Sequence, residues 1–151
     1  MTISPQQISQ LESRIGVELP PVSYDIEKGL IRRFAQAVGD DNPLWQDEEY
    51  AKEIGYQSLV APPNLILTLG FDQVLAEFIA DDALTVLHGS TELVCHAPVQ
   101  AGDVITASAK IVNVRQRQGK TGATAFVTFE IGYTNQRQQA VADCRQMAII
   151  Y

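Results

Sequence analysis

The sequence predicts an α+β domain built on an antiparallel sheet, and three observations carry that prediction. The first is a pair of prolines in Val60-Ala61-Pro62-Pro63, followed by an apolar run from Asn64 to Ile79. The second is the helical spacing of apolar residues in the segments ahead of that run. The third is a change to alternation from Leu87 onward, with the Thr, Val, Ile and Phe enrichment that suits strands. Helices first and strands later is the order of an α+β fold.

Each element has its own reason. Paired prolines fit the first turn of a helix, where a missing N–H costs nothing. Behind them, Leu65, Ile66, Leu67, Leu69, Phe71, Val74, Leu75, Phe78 and Ile79 leave hardly a polar face, which predicts one long buried helix over 64–79. Its length touches the lower limit of a membrane span, but Asp72, Gln73 and Glu77 interrupt the second half, so a core helix is expected. Residues 1–21 form an N-terminal arm with a short helical pattern at Ile8, Leu11 and Ile15, closed by Gly16 and Pro20-Pro21. Ser23-Tyr24-Asp25 offers caps for a helix carrying Ile26, Leu30, Ile31, Phe34, Ala35 and Val38 on one face, which Gly39 ends. Asp47 can cap a second helix from Glu48 to Ile54. Strands are expected at His88–Cys95, Val104–Val114, Ala123–Thr134 and Ala140–Ile150. Thr106, Ser108, Lys110, Thr124, Thr128 and Glu130 mark one partly wet sheet face; the other packs on the central helix. Such a sheet leaves edge strands open, and pairing with a second subunit is a common remedy.

Composition bounds the function. At 151 residues, 46% apolar and 19% charged, the chain is one globular domain, 1–151, with a real core. A net charge of −7 argues against a nucleic-acid surface, which needs a basic stripe. Cys95 and Cys144 have no zinc spacing and read as buried small hydrophobes. The N-terminus lacks the basic-then-apolar pattern of a secretory leader, so a cytoplasmic location is expected. No cofactor, metal or membrane span is expected.

The one convergent polar cluster is Gly39-Asp40-Asp41-Asn42-Pro43. By itself it reads as a helix stop, an Asx turn and a proline. Extended to Leu44-Trp45 and Tyr50-Ala51, it resembles the Gly-Asp-x-Asn-Pro-(Leu/Ile)-His motif of the MaoC-like (R)-specific enoyl-thioester hydratases and dehydratases. The resemblance continues through Leu59-Val60-Ala61-Pro62-Pro63, through His88-Gly89, and through Pro98-Val99-Gln100-Ala101-Gly102-Asp103-Val104. It spans about Tyr24 to the C-terminus and is greatest to the FAS1-like dehydratase N-terminal half. It implies a hot-dog fold, a curled antiparallel sheet around one long helix. It also implies a chemistry: hydration of a trans-2-enoyl thioester or the reverse dehydration. There an Asp and a His deprotonate a water, and a backbone N–H stabilises the enolate oxygen.

Two departures matter. Asp40 matches the catalytic Asp, but Trp45 stands where the family has its His, and indole has no basic nitrogen. Pro62 stands where the family's oxyanion-hole Gly gives its N–H, and proline has none. The resemblance thus implies a subunit that is catalytically incomplete alone and shapes an acyl channel for a complete partner in a hot-dog dimer. The ligand would be an acyl-CoA or acyl-carrier-protein thioester. Trp45, Tyr50, Tyr56 and Leu59 are candidate channel walls, Asn42 and Asn64 candidate polar ligands, and Pro62 lies at the channel's entry to the helix. Arg115, Arg117 and Lys120 at a hairpin tip, with Arg137 and Arg145, are candidates for a phosphate. The alternatives are an active homodimeric hydratase using Asp40 with a second group such as His88, a non-catalytic acyl-thioester-binding protein, and a thioesterase in which Asp40 activates water. His96 is expected to be a half-buried, hydrogen-bonded histidine.

Overall fold

The computed structural model describes residues 2–78 and 84–151. Its centre is one five-stranded antiparallel sheet in the order β1-β3-β4-β5-β2, made of β1 (Val22–Asp25), β2 (Val86–Cys95), β3 (Val104–Gly119), β4 (Gly122–Thr134) and β5 (Ala140–Ile150). Alternation sets the two faces. Ile105, Ala107, Ala109 and Ile111 on β3, Val127, Phe129, Ile131 and Tyr133 on β4, and Ala142, Cys144 and Ala148 on β5 are all buried on one face. The register stacks them: Ala107 faces Tyr133, Ala109 faces Ile131 and Ile131 faces Cys144. Thr106, Ser108, Lys110, Thr124, Thr128 and Glu130 are only partly covered, as the alternation predicts.

The helical side carries α1 (Pro5–Ser13), α2 (Lys28–Val38), α3 (Glu48–Glu53), a 3-10 helix Pro63–Thr68 and α4 (Phe71–Phe78). Ser4 and Gln7 close a capping box on α1, whose Ile8 and Leu11 are buried; α1 packs along β3. Gly39 ends α2 in the left-handed region, and the Asp47 carboxylate caps α3 through the N–H groups of Glu49 and Tyr50.

The structure corrects four of the expectations. The run over 64–79 is two helices in series, not one. Leu69 is extended and Gly70 sits at φ +83° between them. Gly70 lies against the sheet, where an added Cβ would meet the Ala107 Cβ at 3.0 Å. The break needs two backbone partners, and the tertiary structure supplies them. The Tyr133 hydroxyl donates to the Leu69 carbonyl at 2.9 Å, and the Gly70 N–H donates to the Tyr24 hydroxyl at 3.1 Å. Ile79, the end of the expected helix, lies outside the described residues. Second, Ser23-Tyr24-Asp25 does not cap α2 but belongs to β1, paired with Val104–Ala107; α2 starts after Glu27, without a side-chain cap. Third, β3 continues to Gly119, five residues beyond the expected end, because Lys120-Thr121 closes a two-residue hairpin. Fourth, Cys95 is exposed, since β2 is an edge strand; Cys144 is buried as expected, and both are free thiols. Among the described residues, no helix is long and apolar enough to cross a membrane.

Candidate functional site

The chain between α2 and the 3-10 helix builds a cavity wall. The Asp40 N–H donates to the Ala35 carbonyl as α2 ends. The Asp40 carboxylate then turns inward on its own loop and accepts from the Asn42 N–H at 3.1 Å. The Asn42 side chain accepts from the Leu44 N–H at 3.0 Å and starts a 3-10 turn, Pro43–Trp45. Pro43 keeps Asn42 out of the helical region, at φ −54° and ψ 126°. This turn carries the Trp45 indole into the core, where 8% of the residue remains exposed.

Two backbone bonds tie the wall together, one of them to the turn. The Val60 N–H donates to the Leu44 carbonyl, and the Ala61 N–H donates to the Val99 carbonyl. Glu48 clamps the corner from outside, accepting from Lys28 of α2 and from Lys52 one turn along α3. Those two ammonium groups hold its carboxyl below the usual carboxylate range.

The result is a cavity of about 360 Å³ between the Pro43–Trp45 turn, the 3-10 helix, the end of β2 and the start of β5. That is within the roughly 300–1,000 Å³ of small-ligand pockets. Its wall is mostly apolar, with Leu44, Val60, Leu65, Ile66, Val99 and Val141 among the lining residues. Among the described residues it holds no carboxylate. Its polar groups are Trp45, Tyr56, Cys95 and His96. The His96 Nε2 lies 2.7 Å from a carboxylate oxygen of Asp143, which leaves Nδ1 as the ring's second nitrogen. The Trp45 Nε1 is buried with no hydrogen-bond partner.

Of the residues singled out from the sequence, Trp45, Pro62 and Tyr56 line this cavity. Asp40, Asn42, Tyr50 and Asn64 do not. Asp40 and Asn42 are used by the turn, while Tyr50 and Asn64 are exposed. Leu59 is fully buried beside the wall rather than in it. His88 is exposed on β2 within 3.0 Å of the Thr91 hydroxyl. The cations also lie elsewhere. Arg115 stacks over Phe126, and Arg145 pairs with Glu130 at 2.8 Å. Arg117, Lys120 and Arg137 are exposed, and none of the five lines the cavity. Sequence reasoning gave little weight to His96 and Cys95. The clue for both was their position just before Ala97-Pro98-Val99, where β2 leaves the sheet and turns across the cavity.

Comparison with known proteins agrees with this architecture. The family described as "FAS1-like, dehydratase domain region" matches residues 13–144. A UPF0336 protein of Thermobifida fusca is 38% identical over 103 residues, 66% of this chain and 68% of the relative. Another, from Streptomyces avermitilis, is 33% identical over 114 residues, 72% of this chain and 75% of the relative. Among solved structures, the chain is similar to one from the C-terminally truncated HadBC (3R-hydroxyacyl-ACP dehydratase) complex of Mycobacterium tuberculosis. The two share a TM-score of 0.78 and 28% identity, over 90% of this chain and 96% of that one. The curled sheet with its buried helical segment is the hot-dog fold of these dehydratases and hydratases. The chain therefore belongs to the family of FAS1-like dehydratase-domain regions.

Proposed function

We propose that this chain is a subunit of an enoyl-thioester hydratase or 3-hydroxyacyl-thioester dehydratase that is catalytically incomplete alone. Its cavity takes the acyl part of a CoA or carrier-protein thioester. A partner hot-dog subunit supplies the catalytic Asp and His. The observation that carries this reading is the wall of the cavity: apolar, without a carboxylate among the described residues, with indole and proline where the family motif places its base and its N–H donor. Asp40 is spent on the turn that holds Trp45 in place. The similarity to a chain of the HadBC complex, which is a dehydratase built from more than one subunit type, supports a paired assembly.

β2 is the edge for that pairing. It is a ten-residue edge strand, with Leu87 and Val94 46% and 56% exposed. A long open edge with apolar side chains is a template for another strand.

The test is hydration of crotonyl-CoA, followed as loss of enoyl absorbance, on the purified chain and on the chain co-purified with a MaoC-type chain that has the intact Asp…His motif. Turnover by the pair, above that of either chain alone, is the expected result. Efficient turnover by this chain alone would sink the incomplete-subunit reading.

One observation favours a second reading, an enzyme active on its own. His96 lines the cavity and pairs with Asp143, an imidazole–carboxylate arrangement that suits a general base. In that case turnover by the chain alone falls at least a hundredfold in His96→Gln while the thermal unfolding midpoint is kept.

A further inference from the structure

We infer that Arg115, Arg117 and Lys120, at the tip of the β3–β4 hairpin, bind the phosphate of a thioester's head group at the partner's end of the subunit pair, away from this chain's own cavity. The inference rests on the paired-subunit reading above. Charge, position and symmetry carry it.

Charge comes first. The net charge of the chain is −7, yet the stretch between Asp103 and Glu130 has no acidic residue and holds four of the 11 Lys and Arg residues, Lys110, Arg115, Arg117 and Lys120. Lys28, Lys52 and Arg145 pair with carboxylates. Among the described residues, Arg115, Arg117 and Lys120 form no salt bridge, and all three are exposed. Arg115 and Arg117 stand on the outer face of the sheet, opposite Phe126 and Thr124. The Arg115 guanidinium lies 5.7 Å from the centre of the Phe126 ring, a contact that steadies the cation without neutralising it. A phosphate ester is the complement of such a group, since guanidinium forks match its oxygens and an ammonium adds a point charge.

Position rules out this chain's own cavity. Cys95 and Ala142 line the cavity and share a row of the sheet with Tyr133 and Ala107. The hairpin tip lies beyond the row at the other end, made by Val86, Ile150, Ala125 and Gln116. The ten residues of β2 separate the two rows by about 30 Å.

Symmetry brings the tip to the other site. Two like subunits that join at the same edge strand are related by a two-fold axis, so β2 runs antiparallel to the partner's edge strand. The ends of the two sheets are then exchanged, and the hairpin end of this chain lies beside the cavity end of the partner. The hairpin continues past the last row from Gln116 to Gly119, about 10 Å further. Counted across from the partner's edge strand, β4 and β3 are the third and fourth strands, about 15–20 Å away. An extended pantetheine arm covers such a span. This chain thus holds the head group for chemistry done by its partner.

The experiment measures hydration by the co-purified pair of crotonyl-CoA, crotonyl-phosphopantetheine and crotonyl-pantetheine, of which the last has no phosphate. In the triple variant Arg115→Gln, Arg117→Gln, Lys120→Gln, the KM for crotonyl-CoA is expected to rise about tenfold, while that for crotonyl-pantetheine is not. A rise with crotonyl-phosphopantetheine as well assigns the contact to the phosphate that CoA shares with a carrier protein; a rise with crotonyl-CoA alone assigns it to the nucleotide phosphates. A second measurement uses the unaltered pair. Added NaCl is expected to raise the KM for crotonyl-CoA more than that for crotonyl-pantetheine, because exposed charges are screened. A control variant, Arg32→Gln, Arg33→Gln, Arg137→Gln, removes the same charge elsewhere. An equal rise in that control, or an equal or absent rise with all three thioesters, overturns the role of the tip and leaves the paired reading intact. A pair that turns over no faster than either chain alone overturns the pairing and the role of the tip together.

Discussion

At the scale of single residues, the break between the two central helices rests on Gly70. It needs a positive φ and a sheet contact with no room for a side chain. Gly70→Ala is expected to destabilise the protein by about 2 kcal/mol, combining the left-handed conformation with the crowding against Ala107. Urea unfolding at pH 7 measures it. The neighbouring Tyr133 hydroxyl answers the Leu69 carbonyl from the buried face of β4. Tyr133→Phe leaves that carbonyl without its donor, at a cost of about 1–3 kcal/mol. The effect has a pH dependence of definite sign. Burial pushes the Tyr133 phenol up, so it stays protonated in the folded state when a free tyrosine ionises near pH 10. The stability it lends is present below pH 10 and is lost as pH rises above it. The stabilities of the parent protein and Tyr133→Phe are therefore expected to draw together from about pH 10 upward, by about 1.4 kcal/mol per pH unit. Parallel curves across that range would exclude the phenol as the cause.

At the scale of elements, the edges of the sheet differ. β1 is four residues long, and beyond it single bridges join Ile15 to Ile111 and Glu18 to Lys110, so the N-terminal arm covers much of the β3 edge. β2 is ten residues long and has only β5 beside it. Its register shifts between His88 and Ser90, at Gly89, where an added Cβ would lie 3.0 Å from the Met147 carbonyl oxygen. That bulge bends the strand without covering its edge. Charged side chains at an edge oppose strand addition. Under the strand pairing proposed above, the double variant Leu87→Lys with Val94→Lys is expected to turn a paired species into monomer in sedimentation velocity, with its far-ultraviolet circular dichroism unchanged. A parent protein that sediments as a monomer at micromolar concentration, alone and with its partner, would remove β2 as an assembly edge.

At the scale of the whole molecule, the cavity links binding to stability. A ligand that binds only the folded chain stabilises it by about 2.7 kcal/mol at one hundred times its dissociation constant. For a domain of this size that is a rise of roughly 5–11 °C in Tm. A medium-chain acyl-CoA is expected to produce such a rise, while free CoA, with no tail to enter the apolar wall, is not. An equal rise with free CoA would place binding on the nucleotide rather than the acyl chain. The net charge of −7, and the placement of the five candidate cations away from the cavity, favour the acyl-led form of the proposed binding over a phosphate-led one.

What the sequence determined alone is whatever repeats locally. The alternation of β3, β4 and β5, the left-handed Gly39, the Asp47 cap and the Asn42-Pro43 turn are all written in neighbouring residues, and the structure places them as expected. The motif around Asp40 pointed to the family to which the chain belongs, and the structure puts Trp45 and Pro62 in the cavity wall. Tertiary structure decided the rest, because the partners concerned are far apart in the chain. β1 is a strand because Val104–Ala107 lies beside it, and four residues are too few to show a period. The apolar run after Pro63 breaks at Gly70 because Tyr24 and Tyr133 satisfy the freed backbone from two different strands. Asp40 stands in the right motif yet serves its own loop, while His96 joins Trp45 in one wall through the return of β2 across the cavity. Periodicity reports which face of an element is buried; only packing reports which buried faces meet.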